Sequence, residues 1–121
     1  SAAIYVSQYL IEDGAEVHVF DPKVSEKKIK MDMSYLWEQK GLTNAQISSK
    51  LSQIKVYNDP YKAVESSHAI AVITEWDEFI DYDWEIIYND MFKPAFIFDG
   101  RGFLDKSKLQ KIGFDFYSIG K

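Results

Sequence analysis

Short apolar segments without polar alternation recur along the chain, and a helical pattern separates each from the next. The two clearest are residues 68–73, HAIAVI, and residues 95–98, AFIF. Runs of this kind suit strands that are covered on both faces, as in a parallel sheet. Further strands are predicted at residues 17–20, 54–57 and 114–119. Strands that alternate with helices in this way predict an α/β fold.

Residues that begin and end helices stand between these strands. In the first helix, Ala3, Val6 and Leu10 form one apolar stripe, and Gly14 suits the left-handed position after its end. Ser25 is the predicted N-cap of a helix that runs to about Met33.

Four more helix starts follow. Thr43 with Gln46 three residues later predicts a capping box for a short helix that reaches Leu51. Later helices are predicted after Asp59, Asp83 and Asp105, because an aspartate at the N-cap accepts a hydrogen bond from a free backbone N–H.

This order of elements predicts a Rossmann-like, three-layer α/β/α fold with a mostly parallel sheet of about five strands. A length of 121 residues suits a single domain over residues 1–121. A doubly wound domain usually opens on its central strand, whereas this chain opens on a helix, so we expect the first strand of the fold to be missing. Its loss would expose two strand edges. We expect repair by strand re-pairing, a shifted sheet order or dimerisation.

Charge and composition exclude several classes of protein. The net charge is -5 and the longest basic cluster is Lys27-Lys28, which argues against nucleic acid as a partner. The absence of cysteine excludes disulfides, thiolate metal sites and a cysteine nucleophile within these residues. All apolar runs are far shorter than a membrane span, so we expect a cytoplasmic protein.

Arg101 is the sharpest candidate for a binding residue. It follows Asp99-Gly100 at the carboxyl end of a predicted strand, which is where parallel sheets bind ligands. A guanidinium offers planar, bidentate donors to phosphate or carboxylate. The alternative is a surface arginine that pairs with Asp99 or Asp105, and position alone leaves both interpretations open.

The segment Thr74-Glu75-Trp76 follows the most apolar strand. Glu75 could accept a hydrogen bond from a ribose hydroxyl or pair with Arg101. The residues by themselves favour the simpler interpretation, in which Trp76 packs in the core and Glu75 caps the following turn.

The remaining polar candidates indicate structure rather than chemistry. Asp21 beside Pro22 is interpreted as a turn former. Neither His18 nor His68 has a second histidine at ligand spacing, so no metal site is predicted. An acidic stretch precedes a helix, whose N-terminus favours negative charge, and it is interpreted as a solvated cap: Asp77, Glu78, Asp81 and Asp83. No nucleophile, acid/base pair or catalytic residue follows from these patterns.

Five blocks of the sequence, in order, resemble the C-terminal domain of UDP-glucose dehydrogenases, within the UDP-glucose/GDP-mannose dehydrogenase family. They are residues 20–24 (FDPKV), 59–63 (DPYKA), 68–79 (HAIAVITEWDEF), 93–101 (KPAFIFDGR) and 113–121 (GFDFYSIGK). The block at residues 93–101 is long and specific, and together the blocks span nearly the whole chain.

The resemblance implies the UDP-binding domain of an enzyme that oxidises UDP-glucose to UDP-glucuronate in two NAD-dependent steps. In the family an N-terminal Rossmann domain binds NAD and a catalytic cysteine forms a thioester, and both are absent from this sequence. Arg101 matches the arginine that contacts the sugar nucleotide. Asp99, Gly100, Glu75 and Trp76 are the accompanying substrate-binding candidates. The implied partners are UDP-glucose or UDP, the remainder of the dehydrogenase chain and further copies in a homo-oligomer.

The sequence also departs from the family pattern. The first strand of the domain and its Phe-Lys and Asp-Thr loop are absent. Gly102 replaces a residue that is often basic or polar, and residues 33–52 differ from relatives.

Two alternative functions stay open: a dehydrogenase of another UDP- or GDP-sugar, and a non-catalytic flavodoxin-like or receiver-like module. A receiver would use Asp21, Asp99 and Lys121 at its strand ends.

Overall fold

The structure, a computed structural model, describes residues 2–118. The chain divides into two compact units, residues 1–63 and residues 64–121. Each unit has its own helices and its own parallel strands. The expectation of one domain over the whole chain stays a prediction.

The first unit contains two parallel strands and three helices, followed by a short helix at the point of division. Its elements are α1 (Ala2–Glu12), β1 (Val17–Phe20), α2 (Glu26–Gln39), α3 (Asn44–Leu51), β2 (Ile54–Tyr57) and α4 (Pro60–Val64). The strands pair in register from Val17 opposite Ile54 to Phe20 opposite Tyr57. The side chain of Ser25 caps α2, and the predicted capping box of Thr43 and Gln46 begins α3.

Helix α2 is longer than predicted: the sequence indicated an end near Met33, and the helix continues to Gln39. Ile29, Met33 and Trp37 are spaced four residues apart and are all buried, with Met33 and Trp37 fully so. Four-residue spacing places side chains on one face of a helix. Burial of the Trp37 ring therefore stabilises the part of α2 after Met33. The sequence did not predict this extension, because most residues around Trp37 are polar.

The predicted apolar stripe of α1 is wrong. Val6 and Leu10 are exposed, whereas Gln8 and Ile11 are buried. The Gln8 Oε1 atom accepts a hydrogen bond from Lys40 Nζ at 3.3 Å, which allows a polar side chain to lie inside. Within residues 2–118, the Gln8 Nε2 atom has no hydrogen-bond partner.

The second unit contains a three-stranded parallel sheet with the order β3-β4-β5. Its elements are β3 (Ala69–Val72), a short 3-10 helix (Asp77–Asp81), α5 (Trp84–Asp90), β4 (Phe96–Asp99), α6 (Lys106–Ile112) and β5 (Asp115–Ser118). Asp83 and Asp105 cap α5 and α6 as predicted, each accepting a hydrogen bond from a backbone N–H. Ile119, the last residue of the predicted final strand, lies outside the described residues.

The two faces of this sheet differ in burial. Ile97 of β4 and Phe116 of β5 are buried on one face, because alternate side chains of a strand point to opposite sides. On the other face Phe98 is 42% exposed and Tyr117 is 53% exposed, and their rings stack at 5.5 Å. Ala71, opposite Phe98 on β3, is exposed as well. The apolar run of β3 is thus not covered on both faces as its pattern predicted.

All five predicted strands form and all their pairings are parallel, which confirms the α/β prediction. They form two small sheets rather than one sheet of five. Within residues 2–118, four strands each keep one edge without a strand partner, namely β1, β2, β3 and β5. Described strands pair only with their neighbours in chain order, so they show neither re-pairing nor a shifted order, and dimerisation stays a prediction.

No helix among the described residues is both long enough and apolar enough to cross a membrane.

Candidate functional site

The loop that follows β4 is organised by the carboxylate of Asp99. This side chain is fully buried at the carboxyl end of the strand. Its Oδ1 atom accepts a hydrogen bond from the backbone nitrogen of Arg101 at 3.0 Å. Its Oδ2 atom accepts from the backbone nitrogens of Phe103 at 2.7 Å and Leu104 at 2.8 Å. A buried carboxylate is stable only when hydrogen bonds replace its hydration, and here three backbone donors do so.

Gly100 ties the same loop to the neighbouring strand. Its backbone nitrogen donates to the carbonyl oxygen of Val72 at 2.9 Å. A Cβ atom added at Gly100 would lie 3.3 Å from that oxygen, closer than most side chains approach a carbonyl. The missing side chain therefore lets the loop sit tightly against the end of β3.

Arg101 projects from this loop and is the only arginine in the chain. Its Nε atom donates to Glu75 Oε1 at 3.0 Å, and the two side chains are 52% and 47% exposed. Of the three carboxylates that the sequence offered as partners, Glu75 is confirmed, whereas Asp99 accepts from the Arg101 backbone and Asp105 caps α6. The loops after β3 and β4 thus bring together two candidates that are 26 residues apart.

The segment after β3 begins the 3-10 helix. The Glu75 carboxylate bonds to Arg101 rather than to a backbone N–H of the following turn, so Glu75 is not a cap. Trp76 is partly buried, and its carbonyl oxygen accepts a hydrogen bond from the backbone nitrogen of Phe79 at 3.0 Å. The structure thus places Trp76 at the start of the 3-10 helix, and its predicted contact with substrate stays a prediction.

Two of the other polar candidates, Asp21 and Asp83, have the structural roles that their patterns indicated. Asp21 Oδ1 accepts from the backbone nitrogen of Lys23 at 2.8 Å and so forms the predicted turn. Asp83 Oδ1 accepts from the backbone nitrogen of Ile86 at 3.2 Å at the start of α5. Among the described residues, no group of three or more histidines, aspartates or glutamates lies close enough together to hold a metal ion.

A second charged cluster surrounds Glu16, just before β1, and sequence reasoning missed it. Glu16 Oε1 lies 2.8 Å from Lys55 Nζ and 2.9 Å from His18 Nε2. The hydrogen bond from Lys55, followed by that from His18, lowers the pKa of Glu16 from 4.5 to about 2. The same contact raises the pKa of Lys55. The signal that sequence lacked is the strand register, which sets Lys55 opposite His18.

Residues 100–105, GRGFLD, keep two glycines of a phosphate-binding turn between a strand and a helix. The third position is Asp105, which caps α6. The backbone amides of Arg101, Phe103 and Leu104, which such a turn would direct at a dinucleotide diphosphate, all donate to Asp99. With these three amides occupied, the loop does not fit the diphosphate of NAD in the manner of such a turn.

Comparison with known proteins gives a consistent result. Residues 1–106 match the model of the UDP binding domain of the UDP-glucose/GDP-mannose dehydrogenase family. The chain is 44% identical over 121 residues to UDP-glucose 6-dehydrogenase of Drosophila melanogaster, covering all of this chain and 24% of that protein. It is 44% identical over 123 residues to the Mus musculus UDP-glucose 6-dehydrogenase, again covering 100% of this chain and 24% of the relative.

A plant relative is similar to the same extent. UDP-glucose 6-dehydrogenase 4 of Arabidopsis thaliana is 41% identical over 122 residues, which cover 98% of this chain and 25% of the plant protein. The chain thus spans about a quarter of the length of the curated relatives that it matches.

Proposed function

The chain belongs to the UDP-glucose/GDP-mannose dehydrogenase family, and the part of the family that it matches is the UDP binding domain. From this premise we propose that the chain binds the diphosphate of UDP-glucose through the guanidinium of Arg101. Glu75, Asp99 and Gly100 act in the same site by holding the arginine and its loop. Trp76 is proposed to flank the bound nucleotide.

The position of Arg101 carries this proposal. Parallel sheets bind ligands beyond the carboxyl ends of their strands, and the loops after β3 and β4 meet there. Arg101 is half exposed, so a ligand in solution can reach it. The chain is acidic overall and its single guanidinium is the planar donor that matches phosphate geometry.

For the whole enzyme we propose oxidation of UDP-glucose to UDP-glucuronate with NAD as the hydride acceptor. NAD and the catalytic nucleophile would be supplied by parts of the polypeptide other than these 121 residues. This fits the loop after β4, whose amides are already occupied by Asp99. A homo-oligomeric, cytoplasmic enzyme is part of the same proposal.

Isothermal titration of the 121-residue chain with UDP and UDP-glucose tests the binding role. Arg101→Ala should weaken binding by about tenfold or more, since hydrogen bonds to charged groups contribute about 1.5–3 kcal/mol each. Arg101→Lys keeps the charge but not the planar fork, and should bind with intermediate affinity. Lys111→Ala, which removes one positive charge from the last turn of α6, is the matched control and should bind like wild type.

Equal affinity of wild type and Arg101→Ala would remove Arg101 from the site, and no binding of UDP by wild type would reject a binding role for the isolated chain. Titration with GDP-mannose separates the related alternative: tighter binding of GDP-mannose than of UDP-glucose would assign the chain to the other branch of the family. The receiver-like alternative has little structural support, since Asp99 is buried and bonded to three amides.

A further inference from the structure

We propose that Glu75 is a positioning residue for Arg101, holding the guanidinium so that its two terminal nitrogens remain available to a nucleoside diphosphate. This inference rests on the proposed function, because it assumes that Arg101 meets the diphosphate. It assigns Glu75 a role through another side chain, rather than a contact with the ribose.

The atoms of the ion pair support this role. Glu75 accepts one hydrogen bond, from Arg101 Nε, at 3.0 Å. A guanidinium carries five N–H donors, and four of them are on the two terminal nitrogens. Within residues 2–118, those terminal nitrogens have no hydrogen-bond or ion-pair partner. The pair thus orients the plane of the guanidinium and leaves its outer fork free for two parallel hydrogen bonds to phosphate.

The backbone beneath the arginine is fixed as well. Asp99 accepts the backbone N–H of Arg101, and Gly100 donates to the carbonyl oxygen of Val72. With its backbone bonded to Asp99 and its side-chain Nε bonded to Glu75, Arg101 has less freedom to lose on binding than an unpaired surface arginine. A long side chain that is ordered before the ligand arrives lowers the entropic cost of association.

Stability does not explain the pair. The Arg101 and Glu75 side chains are 52% and 47% exposed. Ion pairs between exposed side chains contribute little to folding, because water and salt screen them and both side chains lose rotamer freedom. The proposed role of the pair is therefore to orient the Arg101 guanidinium and not to stabilise the fold.

The opposite role for Glu75 makes a different prediction. A carboxylate beside the arginine could compete with the diphosphate and repel it, in which case its removal would tighten binding. Positioning is favoured by the geometry, since Glu75 occupies the inner nitrogen and not the terminal fork. Screening at this exposed site also weakens the repulsion between the carboxylate and a bound phosphate.

Titration with UDP of wild type, Glu75→Ala, Glu75→Gln, Arg101→Ala and the double variant Glu75→Ala/Arg101→Ala tests the proposal. Glu75→Ala should weaken binding by about three- to tenfold, the effect of leaving one long side chain unordered. Glu75→Gln should bind at least as tightly as wild type, because its amide oxygen still accepts from Nε and its negative charge is gone. In the Arg101→Ala background, Glu75→Ala should cause no further loss.

Glu85→Ala is the control, because it removes an exposed glutamate from the first turn of α5 in the same unit and should leave UDP affinity unchanged. Circular dichroism melting of each variant shows whether the fold is kept. Two of the expected results could not come from a general loss of stability. One is that Glu75→Gln restores UDP affinity, and the other is that Glu75→Ala causes no further loss in the Arg101→Ala background.

The outcomes separate the two proposals. If UDP binds wild type and Arg101→Ala weakens it, while Glu75→Ala binds equally or more tightly, the positioning role is overturned and the proposed function stands. If UDP affinity does not depend on Arg101, both are overturned. If Glu75→Ala weakens binding equally with and without Arg101, Glu75 acts independently of the arginine and the positioning role is rejected.

Discussion

The Oδ2 atom of Asp99 lies 2.7 Å from the backbone nitrogen of Phe103, and the amides of Arg101 and Leu104 in the same loop also donate to this carboxylate. A single buried side chain thus takes the place that an external anion would occupy in a phosphate-binding turn. The three amides that donate to Asp99 are therefore not available to an external anion, which is why the proposed binding role rests on the side chain of Arg101.

Asp99→Asn should destabilise the chain by about 2 kcal/mol. The amide nitrogen of asparagine is a donor, so one side of the buried group would face backbone N–H groups that need an acceptor. Urea unfolding followed by circular dichroism measures the change. Asp115→Asn, the same substitution at an exposed position of β5, should have an effect within about 0.5 kcal/mol. Equal effects at the two positions would contradict the role of Asp99.

Gly113→Ala should destabilise the chain by more than about 2 kcal/mol. Gly113 has a φ of 134°, and a Cβ atom there would lie 2.6 Å from the Tyr88 ring. Backbone strain and steric overlap therefore add. Gly14 has a φ of 92° with open space around its Cβ position, so Gly14→Ala measures strain alone, about 1 kcal/mol.

Thermal unfolding measures the loss of stability in Gly113→Ala and in Gly14→Ala. The difference between the two losses is the part that we attribute to steric overlap with the Tyr88 ring. In a Tyr88→Leu background, the cost of Gly113→Ala should fall toward that of Gly14→Ala. An unchanged cost in that background would mean that the Tyr88 ring is not the obstacle.

Thr43→Ala should destabilise helix α3 by about 1 kcal/mol, because it removes one half of the capping box. The Thr43 hydroxyl accepts from the backbone nitrogen of Gln46 at 3.2 Å, and Gln46 Oε1 accepts from the backbone nitrogen of Thr43 at 2.8 Å. Urea unfolding measures the loss. Ser48→Ala, at an exposed site in the middle of α3, is the control and should be neutral or slightly stabilising. A loss at Ser48 as large as that at Thr43 would show that capping is not the cause.

Glu16→Gln should flatten the dependence of stability on pH between about 4.5 and 2. The folded pKa of Glu16, about 2, lies below its ordinary value of 4.5. Folding therefore favours the ionised form, and the stabilisation is fully present above pH 4.5, declines as pH falls and is lost below about 2. The difference in melting temperature between wild type and Glu16→Gln at pH 7, 4, 3 and 2 should shrink in that order.

Salt provides a second check on the same cluster. Glu16 and its partner Lys55 are both exposed, so 1 M sodium chloride should reduce the difference between wild type and Glu16→Gln at pH 7. Glu38→Gln, at an exposed glutamate of α2, should leave the pH profile of wild type unchanged. A profile that Glu16→Gln does not alter would place the acid sensitivity elsewhere.

Local signals predicted helix starts better than helix faces. Ser25, Thr43, Asp83 and Asp105 each cap the helix that the sequence assigned to them. A cap depends on atoms within three residues of each other, so its pattern is complete in the sequence. The face that α1 buries depends instead on distant partners such as Lys40, and the sequence stripe therefore pointed to the wrong side.

The candidate site shows the same division. A strand followed by Gly100 and Arg101 is visible in the sequence, because position at a strand end is a local property. The sequence could not select the carboxylate that pairs with Arg101, because the predicted loops would allow Glu75, Asp99 or Asp105 to approach it. The amides of Phe103 and Leu104 gave no signal at all, because every residue except proline carries one.

The sequence by itself determined the family, the parallel α/β class and the position of Arg101 at the end of a strand, because residue identity and local hydrogen bonding set each of them. Only the tertiary structure decided that Asp99 turns inward, that Glu75 holds Arg101 and that the strands form two sheets. Those outcomes depend on which side of a strand is buried and which strands become neighbours, and contacts between residues far apart in the chain set both.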